Sequence, residues 1–268
     1  ESFAHLTPDG IAVLNGDDDK LCDKKVVNGK PAIFYGIGKE AKVEETEEGM
    51  KTLAEKAVYA TDVEAVGLTG TKAVIHYPAK ETGEEVTMEV TIPIAGEHNV
   101  YNALAAVSVA RELGLTDEEM KRGIESVQTI GGRSNLIHKD GLTIIDDCYN
   151  ANPVSMKASI DVLSKAPGRK IAVLGDMGEL GAEEWQLHYM VGEHFAGKGI
   201  DLLYCAGKLS GGIADAVRAC SDTEVHYYEE KEALIEELAK QVKAGDTILV
   251  KASHFMGFPE IVKRLTER

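Results

Sequence analysis

TIIDDCYNANP, residues 143–153, passes from an apolar run to two acids, a cysteine, a tyrosine, two asparagines and a proline. A strand that only reverses needs little more than Asn-Gly at its turn. Asn152 before Pro153 reads instead as a helix N-cap with proline at the first helical position. The stretch is therefore a strand, a polar turn and a helix start, the unit from which parallel sheets are built. Capping accounts for Asn152 and Pro153. It leaves Asp147 and Tyr149 unused, and a polar ligand at the turn is the reading that uses them.

Outward from this stretch the same rhythm repeats. Apolar runs at 141–147, 170–176, 201–207, 224–228 and 246–252 alternate with helical patterns at 153–165, 183–197, 209–219, 229–243 and near 258–267. Strands alternating with helices of that length predict a doubly wound, mostly parallel α/β sheet, Rossmann-like in class. Residues 1–133 read differently. Short β-type runs at 11–15, 31–37, 57–68, 71–78 and 84–94, with turn pairs Asn28-Gly29 and Thr82-Gly83, suggest antiparallel hairpins. Two helical patterns follow, one over 97–113 closed by Gly114. The other starts after Thr116, where Glu119 completes a capping box. Two domains are expected, 1–133 and 134–268.

A net charge of −16 and a pI near 5.0 argue against binding to nucleic acid or anionic membrane, which would need a basic face. No apolar run approaches the ~20 residues that span a bilayer. The N-terminus has no signal-peptide pattern. The four cysteines form no C-x-x-C pair, which fits reduced thiols. A cytoplasmic monomer is the expectation. The start at Glu1, without methionine, suggests a fragment of something longer.

In open α/β sheets, ligands bind beyond the carboxyl ends of the strands. Three strand ends run into polar turns, at 144–153, 172–181 and 248–257. They offer Asp146, Asp147, Tyr149, Asn150, Asn152, Asp176, Glu179, Lys251 and Ser253. Each has a plainer reading: Asp146 as a local cap, Gly175, Gly178 and Gly181 as turn glycines, Lys251 as a solvated strand-end charge. Three such turns on one sheet edge favour a site. GIGKEA (36–41), GLTGTK (67–72) and AGKLSGG (206–212) lack the order of a phosphate-binding G-x-x-x-x-G-K-[ST] loop and read as strand turns. No metal-ligand spacing and no nucleophile elbow is present. His188 and His194 lie outside any H-E-x-x-H and read as helix-surface or core residues.

GEHNVYNALAA (96–106), GGR (131–133), DDCYNANPVSM (146–156), LGDMGELG (174–181) and VKAS (250–253), in that order, resemble the Mur ligases, ATP-dependent amide ligases of peptidoglycan synthesis. The likeness runs from about residue 11 to the C-terminus. It implies the later part of an ATP-binding domain followed by a complete C-terminal domain, without the N-terminal domain and the phosphate-loop part. DDCYNANP with LGDMGELG resembles the branch that joins D-alanyl-D-alanine to UDP-MurNAc-tripeptide through an acyl phosphate. That implies ATP and Mg2+ as cofactors, with the main phosphate and metal ligands absent from these residues. Carried over by motif, Asn99 and Asn102, with His98, match an H-N-x-x-N segment beside the nucleotide. Arg133 matches an arginine that reaches the phosphates, and Asp147 an acid on the ribose or phosphate side. Tyr149, Asn150, Asn152, Asp176, Lys251 and Ser253 are the expected dipeptide contacts. Residues 15–18 (NGDD) match without a firm role. Ala252 and His254 depart from the family's K-G-S-R pattern. A cyanophycin- or folylpolyglutamate-type ligase, or a non-catalytic nucleotide- or peptide-binding module, are the alternatives.

Overall fold

The computed structural model describes residues 2–46 and 49–267. Glu1 and Arg268, the outer ends of the expected domains, lie outside the described residues. The chain divides into two compact units, Glu1–Val66 with Gly70–Val127, and Gly67–Thr69 with Gln128–Arg268.

The first unit contains β1 (Val13–Asn15), β2 (Val26–Val27), β3 (Lys30–Pro31), β4 (Ile33–Ile37), β5 (Val43–Thr46), β6 (Gly49–Thr52), β7 (Val58–Val66), β8 (Gly70–Pro78), β9 (Glu85–Ile92), α1 (Glu97–Glu112) and α2 (Asp117–Glu125). Its main sheet has the order β1-β4-β7-β8-β9. Only β7-β8-β9 is the antiparallel meander that the turn pairs suggested. β1, β4 and β7 pair in parallel. The Asn28-Gly29 turn, with φ of 53° and 78°, closes the two-residue ribbon β2–β3 outside that sheet. It therefore says nothing about how the longer strands pair.

The apolar face of α1, with Val100, Ala103, Leu104 and Val107, packs against Val58, Ala60, Ile75, Val90 and Ile92. Gly114, at φ 83°, follows the α1 C-terminus in the left-handed conformation common there. Thr116 and Glu119 form the capping box of α2. Because β9 is antiparallel to β8, it runs the same way as β1, β4 and β7. The start of α1 thus lies at the edge where β1 and β4 end.

The second unit carries β10 (Asn135–Lys139), β11 (Leu142–Asp146), α3 (Pro153–Ser164), β12 (Arg169–Gly175), α4 (Glu184–Glu193), β13 (Leu202–Ala206), α5 (Gly211–Cys220), β14 (Glu224–Tyr228), α6 (Lys231–Gln241), β15 (Asp246–Lys251) and α7 (Pro259–Thr266). The strand order is β10-β11-β15-β12-β13-β14, parallel except for β10. Period-2 alternation sends Ile144, Ile171, Val173, Ile248 and Val250 to the face under α6 and α7. Ile145, Ala172, Leu174, Leu203 and Leu249 face α3, α4 and α5. Strands buried on both faces read as continuous apolar runs in the sequence. β10 was not anticipated; Asp140-Gly141, at φ 51° and 78°, turns it back onto β11. The helix expected over 183–197 is shorter. A 3-10 turn at Gly181–Glu183 precedes α4, and irregular turns with Gly197 and Gly199 at positive φ follow it.

Candidate functional site

β15 lies between β11 and β12, so the turns after these three strands are neighbours at one sheet edge. Lys251, the last residue of β15, is only 2% exposed. Its Nζ donates to Asp147 Oδ2 at 2.6 Å, to Asn150 O at 3.1 Å and to Asp147 O at 3.4 Å. An ammonium has three protons, and all are directed at the 147–150 turn. Lys251 is thus not a solvated strand-end charge.

Asp147 is equally occupied. Its Oδ1 accepts from Ser134 N at 2.9 Å, and its Oδ2 accepts from Lys251 and from Ser159 Oγ at 2.7 Å. Asp146 accepts from Gly132 N at 2.8 Å and from the Cys148 thiol at 2.8 Å. Burial, then the bond to Asp146, pushes that thiol far above its usual range and leaves it a weak nucleophile.

Ser253 ties the other two turns together. Its Oγ accepts from Gly178 N at 2.9 Å and donates to Ala151 O at 3.4 Å, and its N donates to Asp176 O at 3.0 Å. The Asp176 carboxylate faces a fourth turn instead, accepting from Ser210 N at 2.7 Å beside Gly207. AGKLSGG, read as a strand turn, is that turn, and it follows β13 at the same edge. Asn152 caps α3 by accepting from Ser155 N at 2.8 Å. His188 is a buried core histidine. Its Nε2 accepts from Met177 N at 2.8 Å, and its Nδ1 lies 2.6 Å from Glu184 O, so the proton is assigned to Nδ1.

What this scaffold leaves at the surface is a different set. Arg133, Tyr149, Asn150 and His254 are exposed, with the Arg133 guanidinium 4.0 Å from the centroid of the Tyr149 ring. His254 meets the same ring at 5.8 Å.

The remaining expected residues belong to the first unit. Asn99 Nδ2 donates to Ala95 O at 2.9 Å and lies 3.0 Å from His98 Nε2, and Asn99 Oδ1 accepts from Asn102 Nδ2 at 3.1 Å. The pair shares one face of the first turns of α1, whose N-cap, Gly96, supplies no side-chain cap. At the same edge Asp17 gathers Ile37 N (2.8 Å), Lys56 Nζ (2.8 Å) and Tyr101 OH (3.0 Å). Asn15 and Asp18 accept from nearby backbone amides, so NGDD folds as a turn around Asp17. Among the described residues no three His, Cys, Asp or Glu side chains group to hold a metal. The described residues do not by themselves fit magnesium. No helix among the described residues is long and apolar enough to cross a membrane.

The pattern of the Mur ligase middle domain matches residues 1–110, and that of the Mur ligase, glutamate ligase domain matches residues 132–254. The chain belongs to the Mur ligase family. UDP-N-acetylmuramoyl-tripeptide–D-alanyl-D-alanine ligase of Escherichia coli (strain K12) is 32% identical over 270 residues, covering 100% of this chain and 54% of that protein. The crystal structure of MurF from Acinetobacter baumannii superposes with a TM-score of 0.79 at 29% identity, covering 99% of this chain and 53% of that one. MurF ligase from Thermotoga maritima, solved in complex with ADP, gives a TM-score of 0.71 at 27% identity, covering 97% and 54%. This Mur ligase chain therefore spans about half the length of the relatives it matches.

Sequence reading of the Mur ligase turns did not find Ser134, Ser159 or Ser210. Ser159 lies inside α3 and reaches back to Asp147. A serine within a helix carries no signal pointing at a strand end. Ser210 could have been found, because AGKLSGG ends an apolar run just as the three chosen turns do.

Proposed function

We propose that this chain is part of an ATP-dependent ligase that joins D-alanyl-D-alanine to UDP-MurNAc-tripeptide. Residues 1–133 would form the later portion of its ATP-binding domain, and residues 134–268 the domain that brings the dipeptide. His98, Asn99 and Asn102 address the base side of the nucleotide, and Arg133 its phosphates, where a planar fork of donors suits anionic oxygens. Asp147, Lys251 and Ser253 hold the acceptor turn in shape. Tyr149, Asn150 and the backbone of 176–178 then face the dipeptide, with Asn152 and the Asp176 carboxylate supporting from the helix caps. The observation that carries this reading is the joining of three strand-end turns through Lys251 and Ser253.

The chemistry follows from the substrates. ATP activates the tripeptide's terminal carboxylate as an acyl phosphate, the dipeptide amine attacks, and inorganic phosphate leaves. Positioning and electrostatics supply nearly all of phosphoryl-transfer catalysis. These residues hold no G-x-x-x-x-G-K-[ST] loop, so the chain by itself is expected not to turn over ATP. The reading is tested by titration calorimetry with D-alanyl-D-alanine and L-alanyl-L-alanine. Saturable binding of the D,D isomer, weakened by Asn150→Ala, supports it; equal binding of both isomers, or of neither, rejects it.

A further inference from the structure

Arg133 lies in an irregular segment between α2 and β10, where no regular structure sets its direction. Three hydrogen bonds fix the backbone on either side of it, at Gly132 and Ser134, to the acid turn. Gly132 N donates to Asp146 Oδ2 at 2.8 Å, Tyr149 N to Gly132 O at 2.9 Å, and Ser134 N to Asp147 Oδ1 at 2.9 Å. The approach is close: a Cβ on Gly132, which sits at φ 80°, would lie 3.2 Å from Tyr149 N and Cβ. A fixed backbone still leaves a long side chain free to swing. Its guanidinium carbon lies over the Tyr149 ring, 4.0 Å from the centroid. Tyr149 is 47% exposed, so filling the core is not the main use of the ring. A contact between a cation and a ring face takes up none of the carbonyl or carboxylate acceptors that guanidinium N–H donors seek, so those donors can still serve an anion.

We infer that Tyr149 is the positioning residue of Arg133, a platform that orders the guanidinium before a phosphate arrives. The inference rests on the nucleotide reading of Arg133 proposed above and deepens it. The residue that orders the phosphate-binding group belongs to the turn that faces the dipeptide, so nucleotide and acceptor binding share one side chain. Ordering a flexible cation in advance removes part of the entropy lost on binding. A cation–ring contact at an exposed site, worth ~0.5–1 kcal/mol, corresponds to about a two- to five-fold change in affinity.

The test uses the 268-residue chain, 15N-labelled, with ADP as the probe. The Arg133 Nε–H signal, identified by its loss in Arg133→Lys, should show the upfield shift of a proton over a ring. Tyr149→Phe should keep that shift and Tyr149→Leu should abolish it. ADP should bind Tyr149→Leu about two- to five-fold more weakly than the unsubstituted chain, and Tyr149→Phe equally well. A Tyr149→Leu variant that binds ADP unchanged while Arg133→Ala weakens it overturns this inference alone. So does a Tyr149→Phe variant as weak as Tyr149→Leu. ADP binding that is undetectable, or indifferent to Arg133→Ala, overturns the nucleotide reading and this inference with it.

Discussion

Removing the Lys251 ammonium would leave the Asp147 carboxylate with only Ser134 and Ser159 for partners, its side chain 14% exposed. Breaking a buried pair at one partner commonly costs ~3–5 kcal/mol, because the other charge stays behind without water. Lys251→Met should therefore destabilise the second unit by about that much, read as a lower urea midpoint. Trp185, the one tryptophan in the sequence, lies in that unit and reports its unfolding by fluorescence. An unchanged midpoint would mean that the pair is not formed in solution. Asp17 makes a parallel case in the first unit. Burial would raise its carboxyl, but hydrogen bonds from Lys56, Ile37 N and Tyr101 outweigh burial and hold it below the ordinary aspartate value. A depressed folded value stabilises above the unfolded pKa, ~3.9. That stability is lost as pH falls through the folded value. Asp17→Asn should thus weaken the first unit at neutral pH and flatten its acid unfolding, followed by circular dichroism. An acid limb as steep as in the unsubstituted chain would show that Asp17 does not carry it. Both aspartates were visible in the sequence as members of motifs. The pairings were not, although Lys251 was itself a motif member, because Lys56 and Lys251 are distant in sequence from these acids and only the fold brings them near.

Among the elements, the caps were legible and the strand pairing was legible only in part. Asn152-Pro153 and Thr116 with Glu119 obey local rules, and the structure keeps both. Asn152→Ala should cost about 1 kcal/mol by the usual N-cap scale, read as a shift in the thermal midpoint. A shift near zero would mean that Ser155 N finds another acceptor. The parallel pairing of β1, β4 and β7 was missed because β1 and β4 are short, and pairing direction is decided by packing under α1. Gly207 shows how an element end is built for its neighbour. At φ 115° its Cβ would fall 2.4 Å from Asp176 Oδ1. Gly207→Ala should destabilise the second unit by ~1–3 kcal/mol, since both the backbone conformation and the Asp176–Ser210 bond are disturbed. Trp185 fluorescence in urea measures this too; a neutral effect would imply that the Asp176 carboxylate moves aside freely.

At the scale of the molecule, each unit has its own core. The second unit's two apolar clusters cover both faces of a sheet that is parallel except for β10. Limited proteolysis should therefore leave a resistant piece of roughly residues 128–268. Survival of only an N-terminal piece would reject that. The doubly wound sheet was legible because strands buried on both faces read as unbroken apolar runs. The candidate site could be read from the sequence only as a set of turns; which of its groups are spent on scaffolding and which face solvent could not, since that depends on the register of β15 between β11 and β12. The central claim is that the turns at this sheet edge receive the dipeptide. It is tested most directly by mapping backbone amide shifts of the whole chain during titration with D-alanyl-D-alanine. Perturbations are expected at 146–153, 174–181 and 250–254, with residues 1–90 scarcely affected. Perturbations confined to residues 1–127 would contradict it.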